Sequence, residues 1–186
     1  MRSFKRPQSY KLPASRKVGC SFIGGVALQR WGEPRETIDA DLSLFVGFGD
    51  EEPFIQTLLS QFAGRLPDTA GFAKDNRVVL LRSSKGVGLD IALAALPYES
   101  LVIERASYFE FPPKIALRTC SAEDLVVLKA FAGRGQDWVD VERIIVRQTG
   151  KLDWSYIYEQ LRPLAELKDQ PGIISELERR RVEFEQ

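Results

Sequence analysis

The sequence predicts an α/β (α+β) fold, in which helices flank a mixed sheet and a small helical region follows this core. Alternating apolar and polar residues at Ile38–Val46 predict a central strand. The leucine-rich and β-branched segments Arg77–Arg82 and Leu89–Leu96 predict a hairpin, and helical periodicity takes over after Cys120. These features divide the chain into a basic extended arm (1–17), a core (18–119) and a helical C-terminal region (120–186).

The N-terminal arm contains two prolines and little hydrophobic periodicity, so it is expected to be extended. Every charged residue before Glu33 is basic, and the seven are Arg2, Lys5, Arg6, Lys11, Arg16, Lys17 and Arg30. Two interpretations stay open: the arm is a solvated tail, or it contacts the phosphates of an RNA partner.

The remaining elements follow from periodicity and from turn residues. The core begins with a short apolar stretch (Val18–Ile23) that leads to a glycine pair. It is then predicted to contain a short helix (Val26–Trp31), the central strand, a helix (Glu51–Ala63, capped by Gly64), the hairpin and two short strands (Tyr108–Phe111 and Lys114–Arg118). The C-terminal region is predicted to contain the helices Ala122–Arg134, Trp138–Gln148, Trp154–Leu164 and Ile173–Phe184. Ser121 and Asp124, three residues apart, predict a capped start for the first of these helices.

The composition excludes several classes of enzyme. The 186 residues include no histidine, which excludes Ser/His/Asp and Cys/His nucleophile systems and every metal site that uses histidine. Cys20 and Cys120 lack the paired spacing of a zinc or redox motif, and both are expected to be buried thiols. No apolar run is long enough to span a membrane and no signal-peptide pattern occurs, which predicts a cytoplasmic protein.

Three aspartates carry the strongest functional signal. Asp39 and Asp41 are two residues apart in the central strand, so their side chains share one face, with Cα atoms roughly 7 Å apart. Asp90 stands between apolar neighbours in the second strand of the hairpin. A single aspartate is usually an ordinary surface residue, but three on one sheet face suit a pair of Mg²⁺ or Mn²⁺ ions, which prefer hard oxygen ligands.

The glycine pair Gly24–Gly25 predicts an anion-binding turn. Without side chains, the backbone N–H groups can approach phosphate oxygens, and the dipole of the helix that follows favours negative charge there. A glycine pair alone is usually only a turn. Thirteen residues separate Gly25 from Asp39, which is enough for a short helix and a return into the central strand, so the turn is expected beside the acids.

The segment GGVALQRWGEPRETIDADL, followed later by LDI, resembles the nucleotidyltransferase superfamily, in which a Gly-Gly or Gly-Ser turn precedes an Asp-x-Asp strand and a third acid lies on a later strand. More narrowly, GG-x-A-L, R-x-T-x-D-x-D-L and the helical segment SAEDLVVLKAFAGRGQDWVDVERI resemble the AbiEii-type nucleotidyltransferases. Many members of that family are toxins of bacterial toxin–antitoxin pairs. The resemblance extends from Gly19 to Ile145.

The resemblance implies roles for individual residues. Catalytic and metal-binding roles fall on Asp39, Asp41 and Asp90, and nucleotide-binding roles on Gly24, Gly25, Arg35, Thr37 and Lys129. Asp90 would also act as base for the incoming hydroxyl, and for Arg35 a structural ion pair is the open alternative. Arg134, Asp137 and Asp140 match the R-x-x-D-x-x-D continuation, and their spacing favours an ion-pair ladder that braces two helices.

Together these features predict a metal-dependent enzyme that transfers a nucleoside monophosphate from a nucleoside triphosphate, ATP included, to a hydroxyl group. The resemblance implies RNA, tRNA in particular, or a protein side chain as the acceptor, and an antitoxin as a partner. Two alternatives stay open. One is transfer to a small molecule such as an aminoglycoside, which predicts an acidic acceptor pocket, and the other is a noncatalytic nucleotide-binding or partner-binding protein on the same scaffold.

Overall fold

The computed structural model of the protein describes residues 19–185, so the predicted arm lies outside the described residues. Within this range, strands and helices are interspersed up to Thr119 and the chain is helical thereafter. In chain order the elements are β1 (Cys20–Phe22), α1 (Gly24–Trp31), β2 (Asp39–Phe45), α2 (Glu51–Gln61), β3 (Ala63–Gly64), α3 (Thr69–Asn76), β4 (Val78–Arg82), β5 (Gly88–Ala94), α4 (Pro97–Arg105), β6 (Ser107–Phe111), β7 (Ile115–Thr119), α5 (Ala122–Ala132), α6 (Gly135–Arg147), α7 (Trp154–Leu167) and α8 (Gly172–Phe184). The predicted α/β (α+β) fold is confirmed.

The strands of residues 19–185 form one seven-stranded mixed sheet in the order β3-β4-β5-β2-β1-β7-β6. β2 and β5 run parallel at its centre, and β4 pairs antiparallel with β5 as the predicted hairpin. A parallel pair needs a crossover connection, which the chain from α2 to β4 supplies here. The functional strands β2 and β5 are therefore neighbours although about fifty residues of sequence lie between their starting points, Asp39 and Gly88.

One face of the central strands is apolar and packs against α2 and α3. The register aligns Leu42 with Ile91, so their side chains share this face. Both belong to a hydrophobic cluster that includes the fully buried Ile55 of α2 and Ala73 of α3. Because side chains alternate along a strand, the residues between these positions, aspartates included, project from the opposite face.

A second hydrophobic cluster joins α1 to the C-terminal helices. Ala27 and Leu28 of α1 are fully buried in this cluster with residues of α5, α6, α7 and α8. α5 begins at the predicted cap, where Ser121 Oγ accepts a hydrogen bond from the backbone N–H of Asp124 at 3.1 Å, and it ends at Gly133, whose φ is 68°. Because α1 starts at the glycine pair, this packing fixes the helical region against the predicted phosphate-binding turn.

The helices α3 and α4 are absent from the elements that the sequence predicts. α3 is short and polar, and its cap, Asp68, accepts a hydrogen bond from the N–H of Gly71 at 2.8 Å. α4 follows β5 almost directly and begins at Pro97. The carboxylate of Glu99 accepts hydrogen bonds from the N–H groups of Ala95 and Leu96, both at 2.7 Å, and this turns the chain out of the sheet.

Two smaller predictions are wrong. Gly64 does not cap a helix, because α2 already ends at Gln61 and Gly64 pairs with Leu81 in the edge strand β3. Cys120 is buried as expected, but Cys20 is exposed, because the alternation of β1 directs its neighbour Ser21 inward instead. Over residues 19–185, no helix is long and apolar enough to cross a membrane.

Candidate active site

The sheet brings the three predicted aspartates together on one face. Asp41 of β2 is the register partner of Asp90 of β5, and Asp39 is the partner of Gly88 in the same parallel pair. Directly opposed residues project to the same side of a sheet, and so do residues two apart in one strand. Gly88 is a glycine for a local reason, since a Cβ atom there would overlap the carboxylate of Asp39. This carboxylate therefore lies over the start of β5, close to Asp90.

A basic residue that the sequence analysis does not select contacts two of these acids. Arg65, which directly follows β3, places Nη1 3.6 Å from Asp39 Oδ1 and donates a hydrogen bond from Nη2 to Asp90 Oδ1. Its backbone N–H donates to the carbonyl of Leu80 at 3.0 Å, so its side chain crosses β4 to reach the acids. Arg65 thus neutralises part of the negative charge on this face.

Burial and mutual repulsion act on the acids that share this face. Burial raises the pKa of Asp41 and repulsion from Asp39 adds to the rise, while the N–H of Gly25 and the charges of Lys129 and Arg134 oppose it. Burial also raises the pKa of Asp90, the charge of Arg65 opposes this rise, and the neighbouring aspartates add to it. At Asp41 and Asp90, burial and repulsion therefore outweigh the nearby positive charges.

The glycine pair forms the predicted turn directly against Asp41. α1 begins at Gly24, whose φ is 55°, and the N–H of Gly25 donates to Asp41 Oδ2 at 3.4 Å. A Cβ atom on Gly24 would overlap the carboxylate of Asp41, and one on Gly25 would overlap the hydroxyl of Thr37. The Thr37 hydroxyl donates to the carbonyl of Asp39 at 2.9 Å. The close approach of helix and acids thus requires glycine at both positions.

The predicted nucleotide-binding cations are tied together by two acids of α6. The Lys129 side chain is only 9% exposed, and its Nζ lies 3.0 Å from Asp137 Oδ1 and 2.7 Å from Asp140 Oδ2. Arg35 donates two hydrogen bonds to Asp140, at 3.0 and 2.9 Å, and Arg134 pairs with Asp137 at 2.7 Å. An ion-pair ladder therefore braces α5 and α6 as predicted, but the link between the two helices is Lys129, and Arg134 pairs with Asp137 at the start of α6. Arg35 makes the ion pair that was its open alternative.

These cations also act on Asp41. The pKa of Arg35 is raised chiefly by Asp140, with smaller contributions from Asp137 and Asp41. The pKa of Arg134 is raised chiefly by Asp137, and Asp41 again contributes. We call the linked side chains the cationic cluster, and its members are Arg35, Lys129, Arg134, Asp137 and Asp140. Its three cations and two acids give it a net charge of +1. The candidate site therefore has an acidic side on the sheet and a cationic side on the helices, and both act on Asp41, which lies against the glycine turn.

The acids suit a divalent cation by their chemistry. Three carboxylates on one face supply hard oxygen donors of the kind that Mg²⁺ and Mn²⁺ prefer, and one arginine offsets only part of their charge. Throughout the described part of the chain, no three acidic or cysteine side chains already stand ready to hold a metal ion. Metal binding at Asp39, Asp41 and Asp90 would therefore need their side chains to adjust, with Arg65 in direct contact with two of them.

Acid stability is expected to depend on Asp140. Burial tends to raise the pKa of this carboxylate, but hydrogen bonds from Arg35, Lys129 and Gln136 lower it to about 2. This value is below the unfolded value of about 3.9, so the carboxylate stabilises the fold above about pH 4. That contribution, roughly 2 kcal/mol by linkage, is lost as the pH falls towards 2.

Urea unfolding of the wild type and of Asp140→Asn at pH values from about 2 to 7 tests this expectation. The variant should be less stable at neutral pH and should lose less of its remaining stability on acidification. Asp75→Asn, at an exposed position of α3, should follow the wild type. Parallel pH curves for Asp140→Asn and the wild type would contradict the expectation.

The sequence matches a known family over most of its length. The model of the nucleotidyl transferase AbiEii toxin family, of type IV toxin–antitoxin systems, matches residues 17–185. The chain belongs to the AbiEii family. The acids, the glycine turn and the cationic cluster all lie within the residues that match the AbiEii family model, and no curated protein matches the chain.

Solved structures similar to this AbiEii chain include an antigenic nucleotidyltransferase-like protein from Paracoccidioides brasiliensis, with 17% identity, a TM-score of 0.44, and coverage of 87% of this chain and 84% of that chain. The antibiotic-resistance factor ANT(2'')-Ia in solution has 17% identity, a TM-score of 0.37 and coverage of 90% and 82%. Its crystal structure with adenylyl-2''-tobramycin has 17% identity, a TM-score of 0.37 and coverage of 90% and 89%. The family assignment rests on the sequence match alone.

Proposed function

We propose that this AbiEii-family protein transfers a nucleoside monophosphate from a nucleoside triphosphate to a hydroxyl of RNA, tRNA in the first instance, or of a protein. The observation that supports this reaction best is that acids and cations both act on Asp41, beside the Gly24–Gly25 turn. Asp41 lies against the turn on the sheet side, and Lys129 and Arg134 act on Asp41 from the helical side. A metal-bound triphosphate needs both kinds of charge at once.

On the sheet side, Asp39, Asp41 and Asp90 would hold Mg²⁺ or Mn²⁺. When bound, such an ion would neutralise the triphosphate and lower the pKa of the attacking hydroxyl. Asp90 has a second role in the proposal as the base that accepts the proton of this hydroxyl. A raised pKa suits this role, because it brings the carboxylate closer in basicity to the group that it deprotonates.

On the helical side, the N–H groups at the start of α1 are assigned to the phosphates, where the helix dipole adds to the attraction. Lys129 supplies a positive charge that Asp137 and Asp140 hold in one position. Arg134 pairs with Asp137 through Nε, but its side chain is 79% exposed, so it is accessible to the outer phosphates. Positioning of this kind aligns the attacking oxygen with the leaving pyrophosphate and lowers the barrier without covalent help from the protein.

The basic N-terminal segment favours RNA as the acceptor, because seven positive charges and no acid precede Glu33. The toxin character of the family supports an antitoxin as the regulatory partner of this chain. We place the reaction in the cytoplasm, where tRNA and nucleoside triphosphates occur together.

The proposal is tested by incubating the protein with each labelled nucleoside triphosphate, Mg²⁺ and, separately, total tRNA, total protein and an aminoglycoside. We expect label to be attached to RNA or protein, with release of an equal amount of pyrophosphate. Label on the aminoglycoside alone would show that the protein is a nucleotidyltransferase that acts on small molecules. Tight triphosphate binding without pyrophosphate release from any mixture would refute catalysis and leave a nucleotide-binding protein.

A further inference from the structure

Arg65 is placed so that its side chain crosses the sheet to the acids. The register of β3 and β4 continues by one residue beyond Gly64, which brings Arg65 opposite Leu80. Leu80 is in turn the partner of Asp90, and Asp90 is the partner of Asp41. Arg65, Asp90 and Asp41 therefore lie on one line across four neighbouring strands, and the Arg65 side chain reaches over β4 to Asp90.

The guanidinium lies where two carboxylates converge. Nη1 is 3.6 Å from Asp39 Oδ1 and Nη2 contacts Asp90 Oδ1, and the side chain is 21% exposed. One delocalised positive charge thus serves two carboxylates of the set that the proposed function assigns to a divalent cation. Mg²⁺ and Arg65 cannot both use Asp90 Oδ1, because Mg²⁺ needs close contact with the oxygen lone pair that accepts the hydrogen bond of Arg65. Beside Asp39, where Nη1 makes only a 3.6 Å ion pair, the two positive charges would repel each other.

The contact of Arg65 is also incomplete. Its Nε is buried and has no hydrogen-bond partner. A buried donor without a partner costs free energy that the contacts at Nη1 and Nη2 must offset. Arg65 is therefore a weaker partner for the acids than a fully hydrogen-bonded guanidinium would be. When a cation displaces Arg65, the free-energy cost of its unpaired Nε is removed.

We propose that Arg65 is a built-in competitor of the divalent cation, which neutralises Asp39 and Asp90 in the metal-free protein and leaves them when the cation binds. The inference rests on the proposed function, since it takes these acids as the metal ligands. It adds a consequence that the family assignment does not contain. The concentration of Mg²⁺ at which the site fills is set by the exchange of the Arg65 guanidinium for Mg²⁺. The loop after β3, which carries Arg65, moves during this exchange.

The test measures metal binding without nucleotide or acceptor. Wild type, Arg65→Gln and Arg65→Lys are titrated with MnCl₂, and free Mn²⁺ is counted by electron paramagnetic resonance. Removal of a unit charge beside the site should tighten Mn²⁺ binding by Arg65→Gln about tenfold or more. Arg65→Lys, which keeps the charge but loses the two-acid contact, should fall between the two. Lys74→Gln is the matched control, because it removes the same charge from α3 on the other face of the sheet.

Thermal unfolding supplies a second readout. Metal-free Arg65→Gln should unfold at a lower temperature than the wild type, since Asp39 and Asp90 then repel without a partner, and Mn²⁺ should raise its unfolding temperature by more. If Arg65→Gln does not fold, Arg65→Lys is compared with the wild type instead. Tighter Mn²⁺ binding by Arg65→Lys would then support the inference.

Equal or weaker Mn²⁺ binding by the Arg65 variants would overturn the inference, and transfer by the wild type in the same preparation would leave the proposed function standing. Tighter binding by Arg65→Gln, together with no transfer from any triphosphate by the wild type, would support the competition and refute the enzyme.

Discussion

Replacing Asp41 with asparagine is expected to lower the rate of nucleotide transfer by about a thousandfold or more while the protein stays folded. Asp41 lies at the centre of the site, opposite Asp90 in the sheet and against the N–H of Gly25 at the start of α1. Asparagine has the same shape and keeps an oxygen for Gly25, but it removes the negative charge that the proposed cation needs. The loss should therefore appear in the chemical step.

The stability of this variant is an informative control. The raised pKa of Asp41, caused first by burial and then by Asp39, means that the ionised carboxylate is less favourable in the fold than in the unfolded chain. Neutral asparagine removes this cost, so the free energy of unfolding at neutral pH should be unchanged or higher. A large loss of transfer without a loss of stability separates a catalytic role from a structural one.

Single-turnover transfer from labelled triphosphate to the accepted substrate, with denaturant unfolding alongside, measures both quantities. Asp75→Asn, which makes the same change at an exposed position of α3, should behave as the wild type in both. Wild-type activity in Asp41→Asn would remove the basis for the acid site.

The acids and the glycine turn were accessible to sequence reasoning because their geometry is local. A period of two fixes the face shared by Asp39 and Asp41 wherever the strand lies, and a hairpin fixes the position of Asp90 relative to Arg77–Arg82. The only non-local step was the pairing of β2 with β5, and the apolar residues that alternate with the acids in both strands favour it. These patterns predict the position of the acids even though the helices α3 and α4 were not predicted.

Arg65 could not be found in this way. It lies in a segment without periodicity, and its partner Asp90 is 25 residues later in the chain, a separation that no local rule connects. The bonds of Arg35 to Asp140 span 105 residues, which is why the sequence left its role open between phosphate contact and ion pair. In contrast, Pro97 and Glu99 did carry a helix-start signal for α4, but the leucine-rich strand pattern that runs to Leu96 obscured it.

Replacing Lys129 with methionine is expected to lower the free energy of unfolding by about 3 kcal/mol. The ammonium group is nearly buried between Asp137 and Asp140, at 3.0 and 2.7 Å, and its removal leaves both acids with one strong partner fewer. Because Arg35 still bonds Asp140, the loss should lie at the lower end of the range for a broken buried pair. Lys151→Met, at an exposed position, should leave the stability near that of the wild type.

A loss of stability alone does not distinguish a brace from a phosphate ligand, but a compensating change does. In the double variant Lys129→Met/Asp137→Asn, one cation and one acid are removed, so the cationic cluster keeps its net charge of +1 with Arg35, Arg134 and Asp140. Denaturant unfolding should then show that most of the lost stability returns. The KM for the triphosphate should nevertheless stay about tenfold higher than in the wild type, because the charge that meets the phosphates is still missing. Recovery of both quantities would make Lys129 a structural brace, and the phosphates would then have to rely on Arg134 and the N–H groups of α1.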